Sequence, residues 1–349
     1  MAWAPSIMSL SLGKPGLHDF EYKMEQAASA GFMGVELFFE DLQFTARKIA
    51  GISSDAQPMP NQLLAAADQC RECCKRLGIT ILTLQPFLFY DGLLDREEQK
   101  RRLAEDAPVW LSLCNRLGVT MIQVSANFLP ADKLIENFDE HRDTVVADMG
   151  SLADLGAAEN PPVRFAYESL CFSTKLNTWQ AAWDVVKRAN RPNLGIVLDT
   201  FNLAGRVWAD PASRDPSRQT PDAESALTQS LEELVAEIDL SKLYYLQIAD
   251  GEKMAAPLVE GHEFHVPGNP PRMNWSRNAR CFMYEEERGG YLPVEKVVRA
   301  VIHGLKFKGW ISLEVFSRTV AQLGDHVPSE HARRGIESYK KMLNRLDMV

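Results

Sequence analysis

The chain has 349 residues, 46% hydrophobic and 24% charged, a composition that excludes a disordered, collagenous or membrane-embedded chain as the main state. Thirty-eight basic against 47 acidic side chains leave a net charge of −9. That charge repels phosphate backbones and argues against nucleic acid as a partner, while a small anionic substrate stays open if a local cluster of Arg or Lys lines a cleft.

Eight short apolar or β-branched runs alternate with long amphipathic ones, the pattern of a parallel sheet with crossover helices. In chain order the predicted strands are Ser6 to Leu10, Val35 to Phe38, Ile79 to Leu84, Val119 to Val124, Arg164 to Glu168, Leu194 to Asp199, Leu243 to Ile248 and Trp310 to Val315. Between the second and third, Leu63, Ala67, Cys70, Cys74 and Leu77 recur at steps of four and three and give a helix one apolar stripe, ended by Gly78. The last helix is expected near Glu330 to Leu346. Eight strand–helix pairs without a G-x-G-x-x-G loop fit an α/β fold of the (β/α)8 TIM-barrel type, as one domain over residues 1–349, better than a doubly wound nucleotide-binding sheet.

The remaining signals are few. No run reaches the ~18 apolar residues of a membrane span, and Met1 to Leu12 has neither the basic start nor the apolar core of a signal peptide, so no membrane partner and a cytoplasmic location are expected. Cys70, Cys73 and Cys74 lie in a helical run with no second Cys or His pair at zinc-finger spacing, so the six cysteines read as buried thiols. Two connections exceed the usual ~2 to 6 residues of a barrel loop, from Ala50 to Asn61 and from Asp250 to Leu292. The second follows the seventh strand and carries His262, His265, Arg272, Trp275, Arg277 and Arg280. In a barrel it belongs to the C-terminal face, where active sites are built; an oligomer interface is its other use.

Polar residues end the predicted strands. Glu36 lies in the second, Gln85 ends the third and Asn127 follows the fourth; Glu168, Asp199, Gln247 and Glu314 stand at or near the ends of the last four. A carboxylate inside a run such as Arg164-Phe165-Ala166-Tyr167-Glu168 needs a partner, because an unpaired buried charge is strongly disfavoured. Three carboxylates converging with one neutral amide carry −3, which a divalent cation reduces to −1. With only oxygen ligands, Glu168, Asp199, Gln247 and Glu314 favour Mg²⁺, Mn²⁺ or Co²⁺ over a thiolate-type zinc site.

The strand order with these four residues resembles the xylose-isomerase-like barrel superfamily of isomerases, epimerases and metal-dependent lyases. Within it the chain resembles the fungal 3-dehydroshikimate dehydratases of quinate catabolism. The resemblance runs through Gly34-Val35-Glu36-Leu37-Phe38, Leu84-Gln85-Pro86-Phe87, Tyr90 to Glu97, Ala126-Asn127-Phe128-Leu129-Pro130 and Tyr167-Glu168. It continues in Leu198 to Arg206, Asn274-Trp275-Ser276-Arg277-Asn278 and Ser312-Leu313-Glu314.

The resemblance implies dehydration of 3-dehydroshikimate to protocatechuate, read here as loss of the C4 hydroxyl after removal of a C2 proton beside a polarised C3 carbonyl. Arg206, Arg272 and Arg277 are the expected grips on the substrate carboxylate, Gln85 joins them at the substrate, and Tyr90 is placed on a ring hydroxyl. Members of the superfamily often carry His shortly after a ligating Glu or Asp, whereas Leu170 and Asn202 stand at those places here. His262 on the long loop and Glu36 on the second strand are therefore the expected bases. The alternative on the same barrel is a metal-dependent ketose isomerase or epimerase in which Glu168 and Glu314 shuttle a proton; the Arg-rich loop suits a carboxylated substrate better than a neutral sugar.

Overall fold

The structure is a computed structural model and describes residues 2–348. Its strands in chain order are β1 (Trp3–Met8), β2 (Gly34–Phe38), β3 (Thr80–Phe87), β4 (Met121–Ser125), β5 (Arg164–Glu168), β6 (Leu194–Asp199), β7 (Leu243–Ile248), β8 (Asp250–Gly251), β9 (Arg280–Cys281) and β10 (Gly309–Leu313). The first seven and β10 close into one parallel barrel, β1 pairing with both β2 and β10, while β8 and β9 form a separate antiparallel pair. The predicted limits of β5, β6 and β7 hold to the residue. β1 is displaced toward the N-terminus because Trp3 and Ala4 pair with Gly309 and Trp310 and the chain turns into a 3-10 helix at Ser9–Leu12.

Side chains alternate across a strand, so residues two apart share a face. One inward layer is apolar: Met121, Ala166, Val197 and Tyr245 pack together with Leu82 and Trp310 against them. Two residues further along β5, β6 and β7 stand Glu168, Asp199 and Gln247, and on β10 the step from Trp310 through Ser312 reaches Glu314 just past the strand end. The polar layer is thus held at the C-terminal end by a packed apolar floor.

The helices end as their sequences predict; Gly78 takes a φ of +70° after the helix Pro60–Leu77, a left-handed cap that costs glycine little. The last helix spans His326–Arg345, and all six cysteines are buried free thiols. The connection expected from Ala50 to Asn61 joins two helices, Phe39–Ala50 and Pro60–Leu77, and is not a strand–helix loop. The segment after β7 contains the helix Pro271–Asn278 between β8 and β9. Trp275 of this helix is fully buried, donates Nε1 to the Glu252 carbonyl at 2.9 Å and lies 4.5 Å from the Phe201 ring. Gly251 makes that packing possible, since a Cβ there would sit 2.4 Å from the indole. Among the described residues no helix is long and apolar enough to cross a membrane.

A buried ion pair joins the helices Phe20–Ala30 and Phe39–Ala50 that follow β1 and β2. Lys23 donates to the Asp41 carboxylate and, at 3.0 Å, to the Gly13 carbonyl; the Ser9 hydroxyl donates to Asp41 at 2.6 Å and accepts from the Phe38 amide at 3.0 Å. Burial lowers the Lys23 pKa and Asp41 opposes that shift. Removing one partner leaves an uncompensated buried charge. Lys23→Met is therefore expected to destabilise the fold by ~3 to 5 kcal/mol in urea unfolding, and Lys23→Met with Asp41→Leu by clearly less. Equal losses in the single and double variants would contradict this role for the pair.

Candidate metal centre and substrate cavity

Glu168, Asp199 and Glu314 converge at the C-terminal end of the barrel, with one carboxylate oxygen of each lying within 4.8 Å of the others. All three are buried. Burial, then the charges of Glu314 and Asp199, push the Glu168 carboxyl well above the ordinary carboxylate range. Burial raises Glu314 and Asp199 as well, against the opposing pull of Arg280. Such a set is stable only when something positive or proton-donating faces every oxygen.

Four amides supply part of that. Gln85 and Gln247 each donate to Glu36 at 3.0 Å and to Glu314 at 3.0 and 2.9 Å, and Gln123 donates to Glu168. Asn202, three residues beyond Asp199 on the helix Thr200–Val207, donates to Glu168 at 2.9 Å and to Asp199 at 2.7 Å. Because the Gln247 nitrogen is committed to Glu36 and Glu314, its Oε1 remains buried with no hydrogen-bond partner among the described residues. A hard divalent cation would satisfy that orphaned oxygen together with the three carboxylates, so the donor set fits an oxygen-ligated metal.

Arg280 supplies the positive charge. Its guanidinium, 2% exposed, donates to Asp199 at 2.8 Å and to the Glu314 carboxylate at 3.0 Å. Its other face meets the Ser276 hydroxyl at 2.9 Å, and the group lies between the rings of Phe201 and Phe316 at 4.3 and 5.2 Å. The β8–β9 pairing of Gly251 with Arg280 brings the long segment back over the barrel to place it.

Above this layer opens a cavity of about 540 Å³. Gln85, Gln123, Glu168, Arg280 and Glu314 form its polar floor, Phe128, Phe172 and Phe316 are in its walls, and Lys14, Glu40, Arg277 and Arg318 bring charge to it. Arg318 is tied to Glu252, whereas Arg277 lies 5.5 Å over the Phe128 ring.

The other expected site residues are placed as follows. Glu36 lies buried beneath the cavity, accepts from Gln85, Gln247 and the Tyr245 hydroxyl at 2.8 Å, and is pushed up to about 8 by burial and then by Glu314. It orients amides and is not among the residues lining the cavity. Tyr90 is away from the cavity because its hydroxyl donates to the Asp148 carbonyl at 2.9 Å and accepts from Gln99. Arg272 is used as a brace, its guanidinium donating to the carbonyls of Gly205 at 2.7 Å and Ala209 at 2.6 Å. Arg206 lies half-buried outside the lining, its pKa lowered by burial and by Arg272. His262 closes its own turn, Nδ1 accepting from the Phe264 amide at 3.1 Å, and does not line the cavity. Asn127 donates to the Asp91 carbonyl and caps Leu129, bracing a loop.

Removing Arg280 leaves Asp199 and Glu314 without their cation. Arg280→Met is expected to destabilise the metal-free protein by ~3 to 5 kcal/mol, read as a lower melting temperature. Added Mn²⁺ should then raise it more in the variant than in the parent, since the ion replaces lost positive charge. An unchanged metal-free melting temperature would show that Arg280 does not neutralise the site.

The profile of the xylose isomerase-like TIM-barrel family matches residues 24–342. A curated relative from Neurospora crassa, named 3-dehydroshikimate dehydratase, is 44% identical over 343 residues, which are 98% of this chain and 94% of that protein. Among solved structures, a xylose isomerase-like TIM barrel/4-hydroxyphenylpyruvate dioxygenase fusion protein superposes with a TM-score of 0.71 at 23% identity, over 100% of this chain and 44% of that one. The IOLI protein with a bound zinc atom superposes with a TM-score of 0.67 at 17% identity, over 98% and 99%. With the barrel, the converging carboxylates and these matches together, the chain belongs to the xylose isomerase-like TIM-barrel family and, within it, to the group of the 3-dehydroshikimate dehydratases.

Proposed function

We propose that this chain is a metal-dependent 3-dehydroshikimate dehydratase that forms protocatechuate by eliminating water. The observation that carries the reading is the buried Glu168, Asp199 and Glu314 set with the unpartnered Gln247 oxygen, two of whose members, Glu168 and Glu314, line a cavity that Lys14, Arg277 and Arg318 also line. A chain 44% identical to the Neurospora crassa dehydratase over nearly its whole length supports the choice of substrate.

The bonding of the substrate corrects the expected atoms. C2 is an alkene carbon, and its hydrogen is not the one acidified. The C4 hydrogen flanks the C3 carbonyl, and the C5 hydroxyl is β to it, so C4–H and C5–O are the bonds that break before the ring aromatises. Glu168, Asp199, Glu314 and Gln247 would hold Mg²⁺, Mn²⁺ or Co²⁺, which would supply Lewis acidity toward the C3 carbonyl.

The chain's own residues do the rest. Gln85, Gln123 and Asn202 fix the carboxylates so that little reorganisation is needed when charge develops on the substrate oxygen. Arg280, held between two rings, is a fixed positive charge at the same floor. Lys14 and Arg277 provide the positive charge for the substrate carboxylate, in place of Arg206 and Arg272. Phe128, Phe172 and Phe316 keep the ring out of bulk water. The cations favour a carboxylated substrate over the neutral sugar of an epimerase.

The test is conversion of 3-dehydroshikimate by the purified protein, followed by the ultraviolet absorbance of protocatechuate. Glu168→Gln and Glu314→Gln keep the side-chain shape and remove one negative charge each. Each is expected to be folded, metal-poor and at least ~10- to 100-fold less active, with a metal-free melting temperature equal to or above the parent's, because like charges in the wall are relieved. A variant with full metal content and normal turnover would remove that residue from the centre. For the carboxylate, Lys14→Met and Arg277→Met are expected to weaken kcat/KM by ~10-fold or more each; values within twofold of the parent would place the anion grip elsewhere.

A further inference from the structure

Dehydration requires a group that takes a proton from carbon, and among the described residues no histidine lines the cavity. The two places where the superfamily often carries histidine hold Leu170 and Asn202; the Asn202 side chain donates to Glu168 and Asp199 and accepts from the Cys171 amide at 3.0 Å. The carboxylates on the cavity wall are Glu40, Glu168 and Glu314.

Two of these three are already engaged. Glu168 accepts from Asn202 on Oε1 and from Gln123 on Oε2, and Glu314 accepts from Gln85 and Gln247 on Oε1 and from Arg280 on Oε2. Glu40 differs from both. It is the second residue of the helix Phe39–Ala50 that follows β2, it is exposed at the cavity, and it makes no hydrogen bond or ion pair among the described residues.

We infer that Glu40 is the general base of the reaction, a free carboxylate on the cavity wall that takes the C4 proton of the substrate. This rests on the dehydratase reading above. Partial burial and then the Asp41 charge raise the Glu40 pKa, against Lys14, Arg277 and Arg47, which makes it a stronger acceptor than an ordinary surface carboxylate.

The step balances within the substrate. The C4–H bond breaks, its proton goes to Glu40, and its electron pair moves into a C3–C4 enolate. The enolate re-forms the C3 carbonyl and a C4–C5 double bond as the C5–O bond breaks. The proton held by Glu40 leaves with the hydroxyl as water, so the carboxylate is regenerated. Transfer of a proton from C6 to the C3 oxygen then gives the aromatic ring, with no oxidant or reductant needed.

The parent protein turning over 3-dehydroshikimate is the control. Glu40→Gln is expected to lose ~10²- to 10⁴-fold in kcat with KM within about threefold of the parent's, at unchanged metal content and melting temperature. Glu40→Ala is expected to regain turnover in proportion to added formate, a rescue that lost packing does not give; this arm also decides the case if the Gln variant is poorly folded. Activity of Glu40→Gln within about threefold of the parent, a defect confined to KM, or an Ala variant that formate does not rescue overturns the assignment. A parent protein with no turnover overturns the dehydratase reading and the role of Glu40 together.

Discussion

Several carboxylates buried at one end of a barrel repel one another, and the rest of this structure is arranged around that repulsion. Glu168, Asp199, Glu314 and Glu36 all lie out of water, where like charges at close range interact far more strongly than at a surface. Each is met by amide donors from β3, β4, β7 or the helix after β6, and two of them by Arg280. Among the described residues the Oε1 atoms of Gln247, Gln123 and Glu36 are left over, and a cation at the first of them would complete the set with the three carboxylates.

The fold serves that arrangement at two levels. Inside the barrel, an apolar layer of Met121, Ala166, Val197 and Tyr245 closes the floor, so the polar side chains two residues further on have only the C-terminal opening to face. Over the opening, the segment after β7 returns through Trp275, anchored on Phe201 and on the Glu252 carbonyl, and delivers Ser276, Arg277 and Arg280 to the cavity. That use of the insertion explains why its other cations are not in the site: Arg272 is consumed in bracing it against Gly205 and Ala209.

Much of this was legible in the residues, and the limits have physical causes. The barrel and the convergence of Glu168, Asp199 and Glu314 follow from strand periodicity, because a strand's period of two assigns each side chain a face without any tertiary information. Arg280 was harder, since a loop has no period; the available signal was an arginine between Ala279 and the apolar run Cys281-Phe282-Met283, the same mark of a buried charge that singled out the carboxylates. Gln123 inside Met121-Ile122-Gln123-Val124 carried that mark too, whereas Asn127 just beyond the strand serves the loop. Arg206, Arg272, Tyr90 and His262 stand on irregular or helical segments, which aim side chains by contacts that the sequence does not display.

The proposed reaction depends on a cation held by the buried oxygen ligands. That dependence is tested most directly by chelating the purified protein, verifying metal removal by elemental analysis, and titrating Mn²⁺, Mg²⁺ or Co²⁺ back while protocatechuate formation from 3-dehydroshikimate is followed in the ultraviolet. Turnover is expected to vanish on chelation and to rise to a plateau at about one ion per chain. Undiminished turnover in protein shown to be free of metal would contradict it.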